Sequence, residues 1–414
     1  MVAGVGVLGA QAARTYLNGY IGDFSHFYYA AKAVREGVDP YSVHERGYLY
    51  LPLLAILMVP LTVLPIGWAG AVWAMVNAFM LGAVLVLGAR EFARRLGSEQ
   101  DRLAISVAAL VTLGVLLDKT RTELRLGQTD VLIALGLVVA LRAIGTRPAL
   151  CGACVAIVTC VKFQGVLFLI YLLVRRRYQE AVWACVGIVA LTLSGALVFG
   201  WSKNLEYLGL SLRGVSELVG QAEGSERSTL VFPLEWIRSV SVPSVLARLE
   251  AGTGGGPAVI FGGSAAAALA MLVIGWWMYA RHRCALLTGR GGDGDDRDGP
   301  SRGLVALEWA GLVVAALAFS PQTTSRHLFL LVVPVMLGSI LLVERREGVK
   351  RSALLIATVV LTLGLVLPPG QEERSNAADA WRRIGGAMWC VIAYWFVVLW
   401  TGLGWIRQLR TPTR

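Results

Sequence analysis

Asp23 stands directly after an apolar stretch and opens the run I-G-D-F-S-H-F-Y-Y-A-A-K-A-V-R-E-G-V-D-P-Y, Ile21 to Tyr41. A carboxylate in that place can act as a general base on a hydroxyl. It can equally cap the short amphipathic helix expected over Phe27–Arg35, which Gly37 and Asp39–Pro40 end. Around it lies a cluster of His26, Tyr28, Tyr29 and Tyr41. Lys162 sits between Val161 and Phe163 in an otherwise apolar run. It can snorkel to the lipid surface or hold a phosphate as a point charge. Gly127–Gln128–Thr129–Asp130 begins a helix, where backbone N–H groups attract anions, or is an ordinary cap. Ser320–His327 packs polar groups around Pro321, and its Arg326–His327 pair suits a phosphate leaving group unless the segment is a plain connecting turn. Polar groups at membrane depth cost a few kcal/mol unless they pair or line a cavity, so a functional role is the default expectation.

The elements that must position these residues are membrane helices. Of 414 residues, 56% are hydrophobic and 16% charged, with mean hydropathy +0.63. An ordinary soluble domain carries about 25% charge. Apolar runs that reach or approach the length of a span occupy Trp68–Leu87, Leu103–Leu117, Val131–Leu141, Ala181–Phe199, Ala258–Tyr279, Val305–Phe319, Leu328–Val343, Ala353–Leu367 and Ile384–Leu403. Met1–Tyr20 reads as a weak first span without a clean signal-peptide pattern. Tyr50–Leu64, bracketed by Pro52, Pro60 and Pro65, reads as an interfacial or re-entrant helix. Ala149–Leu173 reads as two short helices meeting at Lys162, Gln164 and Gly165.

Splitting the chain at Lys162 gives the orientation. With the N-terminus cytoplasmic, the inside segments hold 21 Lys and Arg against 11 in the short outside segments, as the positive-inside rule requires. Arg382 and Arg383 stand against the bias. This topology places Ile21–Leu49, Asp118–Asp130, the Lys162 turn, Ser202–Pro257 and Ser320–His327 on the extracytoplasmic side. Residues 202–257 form a long outside loop, and 281–303, rich in Gly and Asp, a flexible cytoplasmic one.

Several functions are disfavoured. The net charge of +11 belongs to cytoplasmic loops and lipid contacts rather than to nucleic acid. Cys151 and Cys154 form a C-x-x-C without the second pair or nearby histidine of a zinc set. The aspartates Asp293, Asp295, Asp296 and Asp298 lack the closing glutamate of a calcium loop. There is no internal repeat, phosphate-binding glycine loop or G-x-S-x-G elbow.

An ordered set of motifs resembles glycosyltransferase family 87, the polyprenol-phosphate-mannose-dependent mannosyltransferases of the GT-C superfamily. The pieces are D-F-x-x-F-Y-Y-A-A-x-A-x-x-x-G-x-D-P-Y (Asp23–Tyr41) and Y-L-P-L-L-A-x-L-x-x-P-L (Tyr50–Leu61), with Leu51 in place of a family proline. They continue with G-Q-x-D-x-L-I-x-L (Gly127–Leu135), where the family usually has Asn for Asp130, then the helix ending in Lys162, and S-P-Q-x-x-x-x-H (Ser320–His327). The resemblance implies an all-α GT-C-type bundle of about 11–13 transmembrane helices forming one domain over 1–414, with its catalytic loop at 22–49. It implies a multi-pass protein of a bacterial cytoplasmic membrane with an extracytoplasmic active site. The activity it implies is inverting transfer of a hexose, mannose foremost, from a polyprenyl-phosphate-sugar to a lipid or glycan acceptor. Asp23 matches the family's base and His327 a histidine lining the donor pocket. Lys162, Arg326 and Gln128 are expected on the phosphate or donor, and His26, Tyr28, Tyr29 and Tyr41 against the acceptor or pocket wall. No metal or other cofactor is expected, since one donor phosphate can be neutralised by side-chain cations. The rival readings are a secondary transporter or lipid flippase, which should show paired halves with broken helices, and a ligase using a diphosphate donor.

Overall fold

A computed structural model describes residues 2–42, 48–98, 102–218, 233–251, 256–287, 299–321, 323–344, 350–366 and 376–410. Every regular element among them is helical, apart from one isolated antiparallel bridge between Ser239 and Thr324. Five helices are long and apolar enough to cross a membrane: Ile66–Arg95, Tyr178–Phe199, Pro257–Arg281, Ser301–Phe319 and Gly386–Leu409. A sixth would be Arg102–Val115 with Leu117–Leu126, which bend by 69° at their junction. Five shorter apolar helices, among them Pro148–Val161 and Arg351–Val366, accompany them. The chain is therefore an all-α polytopic protein. It divides into two compact units, one of residues 1–84, 120–169 and 178–233, the other of 85–119, 170–177 and 234–414.

In the first unit, the expected break at Lys162 is present. The Pro148–Val161 helix stops there, Lys162 is extended (φ −142°, ψ 125°), and a 3-10 turn over Phe163–Gly165 leads into Val166–Val174. Gly165 is required because a Cβ would stand 2.7 Å from the Thr159 Cα. Pro148–Val161 also packs close to Tyr178–Ser194: a Cβ on Gly152 would lie 2.6 Å from the Ala184 nitrogen. Small residues at such crossings let helices approach without a hydrophobic drive between them.

The first-loop helix is one turn longer at its start than its sequence suggests, Phe24–Glu36. Gly37 ends it in the left-handed region (φ 71°), its N–H donating to the carbonyls of Ala33 and Val34. This helix rests on Pro52–Met58 and the 3-10 turn Val59–Val63, the short proline-bracketed segment. Tyr28 Oη donates to the Leu64 carbonyl at 2.8 Å and Arg35 Nη1 to that of Thr62 at 2.5 Å.

In the second unit, Gly299–Phe319, Val332–Val343 and Gly386–Arg410 bury Trp309, Trp405, Tyr394 and Phe329. Trp405 Nε1 donates to the Leu96 carbonyl at 2.9 Å, and Glu91 accepts from both Arg94 and Arg95. Glu308 is held by Arg175 Nε at 2.9 Å and Tyr171 Oη at 2.7 Å. Paired burial of this kind avoids the cost of a lone ion in a low-dielectric interior.

The long outside loop expected over 202–257 holds two helices among its described residues, with 233–241 in turns and extended backbone between them. Trp201–Leu218 is amphipathic, and Val242–Glu250 starts at Ser241, whose hydroxyl caps the Ser244 N–H, with Pro243 in its first turn. Residues 219–232 and 252–255, and 288–298 of the expected 281–303 loop, lie outside the described residues.

Candidate active site

Asp23 occupies the N-cap position of the Phe24–Glu36 helix but makes no side-chain cap bond. Its Oδ2 instead accepts from Gln128 Nε2 at 2.5 Å, across 105 residues of sequence. The helix-cap reading is thus replaced by a carboxylate held by an amide, with Asp23 half-buried and Gln128 buried. Gly127 makes this approach feasible. It has φ +69°, and a Cβ there would collide with Tyr16 Oη and stand 2.9 Å from the Phe24 Cβ. Trp73 Nε1 fixes the Gly127 carbonyl at 2.9 Å.

Two residues beyond Gln128, Asp130 is wholly buried and pairs with Lys162 Nζ, whose side chain is 13% exposed. Glu123 Oε1 accepts the Asp130 backbone N–H at 2.8 Å, so a glutamate side chain serves the start of the Asp130–Ala143 helix where the Thr129 hydroxyl does not. Lys162 therefore neither snorkels nor stands open for a ligand. Its positive charge is already matched by the buried Asp130 carboxylate, and a phosphate brought there would compete with that pair. A positioning role for Lys162 is better supported than the phosphate contact expected of it.

The aromatic candidates divide. Tyr41 Oη lies 2.7 Å from the Tyr50 carbonyl and 2.8 Å from Ser211 Oγ, within a ring cluster that includes Tyr48 and Tyr207. Tyr28 is tied to Leu64 and stacks edge-on against Tyr29. Both are framework residues with their hydroxyls engaged. Tyr29 and His26 stay half-exposed on the same helix as Phe24.

In the second unit the Ser320–His327 segment is no plain turn; Gln322 lies outside the described residues. Thr324 N–H donates to His327 Nδ1 at 3.3 Å. An Nδ1 that accepts leaves Nε2 to carry the N–H in the neutral ring. A buried hydroxyl cluster holds the segment: Ser241 Oγ and Ser244 Oγ lie 3.3 and 3.1 Å from the Pro321 carbonyl, and Thr323 N–H donates to Ser239 Oγ at 3.2 Å. Val240 N–H donates to the Thr323 carbonyl at 2.7 Å. Arg248 anchors the cluster from behind, donating to the carbonyls of Trp236, Ser239, Arg382 and Arg383 at 2.9–3.2 Å. Burial first, then the Arg383 charge, pulls its pKa down to about 10, which leaves it cationic at neutral pH. Arg382 and Arg383, the exceptions to the charge bias, thus share an end of this unit with the 236–248 segment.

The sequence alone did not single out Glu123, the three serines, Arg248 or Lys119. Lys119 Nζ donates to Ser325 Oγ at 2.6 Å and pairs with Asp118 at 3.0 Å. Glu123 and Lys119 belong to an ordinary-looking amphipathic stretch, L-D-K-T-R-T-E-L-R-L. Only the structure shows that Lys119, Thr120, Glu123 and Leu124 are buried at helical spacing.

A helical, multi-pass membrane protein with a half-buried, amide-held carboxylate and a basic, hydroxyl-clamped segment is the class defined so far. The profile of glycosyltransferase family 87 matches residues 48–291, and the chain belongs to that family. Asp23, Arg326 and His327 lie outside the matched stretch. The chain is also 27% identical over 314 residues to a polyprenol-phosphate-mannose-dependent alpha-(1-2)-phosphatidylinositol mannoside mannosyltransferase of Mycolicibacterium smegmatis. That alignment covers 75% of this chain and 64% of the relative's own length, so the chain spans just under two thirds of it.

Proposed function

We propose that this chain transfers mannose from a polyprenyl-phosphate-mannose donor to a lipid or glycan acceptor on the extracytoplasmic face of a bacterial cytoplasmic membrane. Family membership and the donor of the Mycolicibacterium smegmatis relative support the reaction class. The observation that carries the mechanism is the Asp23 carboxylate, which forgoes its cap bond and is aimed by Gln128.

In this mechanism the Asp23 carboxylate takes the acceptor hydroxyl proton. The acceptor oxygen forms its bond to the sugar's anomeric carbon while the bond from that carbon to the phosphate oxygen breaks. The electron pair leaves with the polyprenyl phosphate, which gains one negative charge, and the single displacement inverts the anomeric centre. Preorganised positive groups at that growing charge are the term most worth supplying in such a transfer. Lys162, Asp130 and Glu123 hold the chain that presents Gln128. No metal is called on, because one departing phosphate is within reach of side-chain cations.

The test is Asp23→Asn in the purified full chain, assayed with labelled polyprenyl-phosphate-mannose and a mannosylated lipid acceptor. Transfer should fall by roughly 10²–10⁴-fold, the usual worth of a general base, while donor binding stays close to wild type. Retention of more than about a tenth of the wild-type rate would remove Asp23 from the base role.

A further inference from the structure

Lys119 is 5% exposed, on a helix that is otherwise half open to its surroundings. Its carboxylate partner among the described residues is Asp118, whose side chain is 60% exposed and so screened by solvent. Its short bond, 2.6 Å, goes instead to Ser325 Oγ, the residue directly before Arg326 and two before His327. A buried ammonium with so weak a counter-charge is costly unless an anion completes its surroundings. The contrast with Lys162 is direct, because that ammonium faces Asp130 and Glu123 buried alongside it. Lys119 is thus bonded to the short segment that carries Arg326 and His327, which Ser239, Ser241, Ser244 and Arg248 hold in place.

We propose that Lys119 binds the phosphate of the polyprenyl-phosphate ligand, as a second cationic contact beside Arg326, with the neutral His327 on the same segment. This rests on the donor class assigned above and names the residue that reading leaves unfilled. A compact ammonium suits this place, since its three rotatable donors can reach Ser325 and a phosphate oxygen together.

The probe is polyprenyl monophosphate, with polyprenol of equal length as the uncharged control, bound to the detergent-purified full chain. Wild type should prefer the phosphate, and Lys119→Met should lose roughly 10- to 150-fold of that preference, with polyprenol binding unchanged. Lys119→Arg, which keeps the charge and guards against a folding defect, should retain most of it. Ser325→Ala should fall between. A phosphate-to-alcohol ratio unchanged in Lys119→Met overturns the proposal, as does a wild type that fails to distinguish the two lipids. Loss of the ratio in Lys119→Met from a protein that transfers no sugar would sustain the phosphate site and sink the transferase reading instead.

Discussion

At the scale of single residues, charge balance separates two buried lysines, Lys162 and Lys119. Lys162 is matched by Asp130 and lies beside Glu123, so removing it leaves the buried Asp130 carboxylate uncompensated. Breaking one side of a buried pair costs about 3–5 kcal/mol. Lys162→Met should therefore lower the thermal midpoint sharply, and Lys162→Met with Asp130→Asn should recover part of the loss. Thermal unfolding of the three proteins in detergent decides it; a stable Lys162→Met with a raised donor KM would return Lys162 to the phosphate. Gln128 makes a subtler prediction. Gln128→Leu removes the amide that holds Asp23 but none of its chemistry. Steady-state kinetics should show kcat down roughly 10- to 150-fold, one hydrogen bond to a charged group being worth about 1.5–3 kcal/mol, with donor KM nearly constant. An unchanged kcat would mean that Asp23 needs no such partner.

At the scale of elements, the 236–248 segment behaves as a clamp on Ser320–His327. Arg248→Met would strip four backbone carbonyls of their shared donor, at about 1–3 kcal/mol for those that stay buried. Arg248→Lys, lacking the planar fork, should recover only part. Hydrogen exchange should accelerate over 320–331 in Arg248→Met and remain unchanged over Pro148–Val161; uniform acceleration would mean general unfolding rather than a clamp. How much of this was legible in the sequence depends on range. The break at Lys162 was, because a lysine and a glycine interrupt an apolar run, and so was the stop at Gly37. The Asp23–Gln128 pairing and the Lys119–Ser325 bond join residues 105 and 206 positions apart, and no local pattern encodes such contacts. Trp201–Leu218 read as loop because Lys203, Asn204 and Glu206 break its hydropathy, although its leucines recur at helical spacing. The serines Ser239, Ser241 and Ser244 look like turn composition until Pro321 and Thr323 are set against them.

At the scale of the whole molecule, the basic residues set an orientation that can be checked without a substrate. Cysteines placed in Arg94–Gly97 and in 291–298 should be shielded from impermeant thiol reagents in intact cells, whereas those placed in 221–225 should be labelled. The reverse pattern would put Asp23 in the cytoplasm and remove it from any extracytoplasmic lipid donor. The account as a whole stands on the class of donor. The direct measurement offers the purified protein, with one mannosylated lipid acceptor, labelled mannose either on polyprenyl phosphate or on a nucleoside diphosphate. The account predicts label in the acceptor from the polyprenyl-phosphate donor alone, with polyprenyl phosphate released in equal amount. Transfer from the nucleotide donor, or none from the lipid donor, would contradict it.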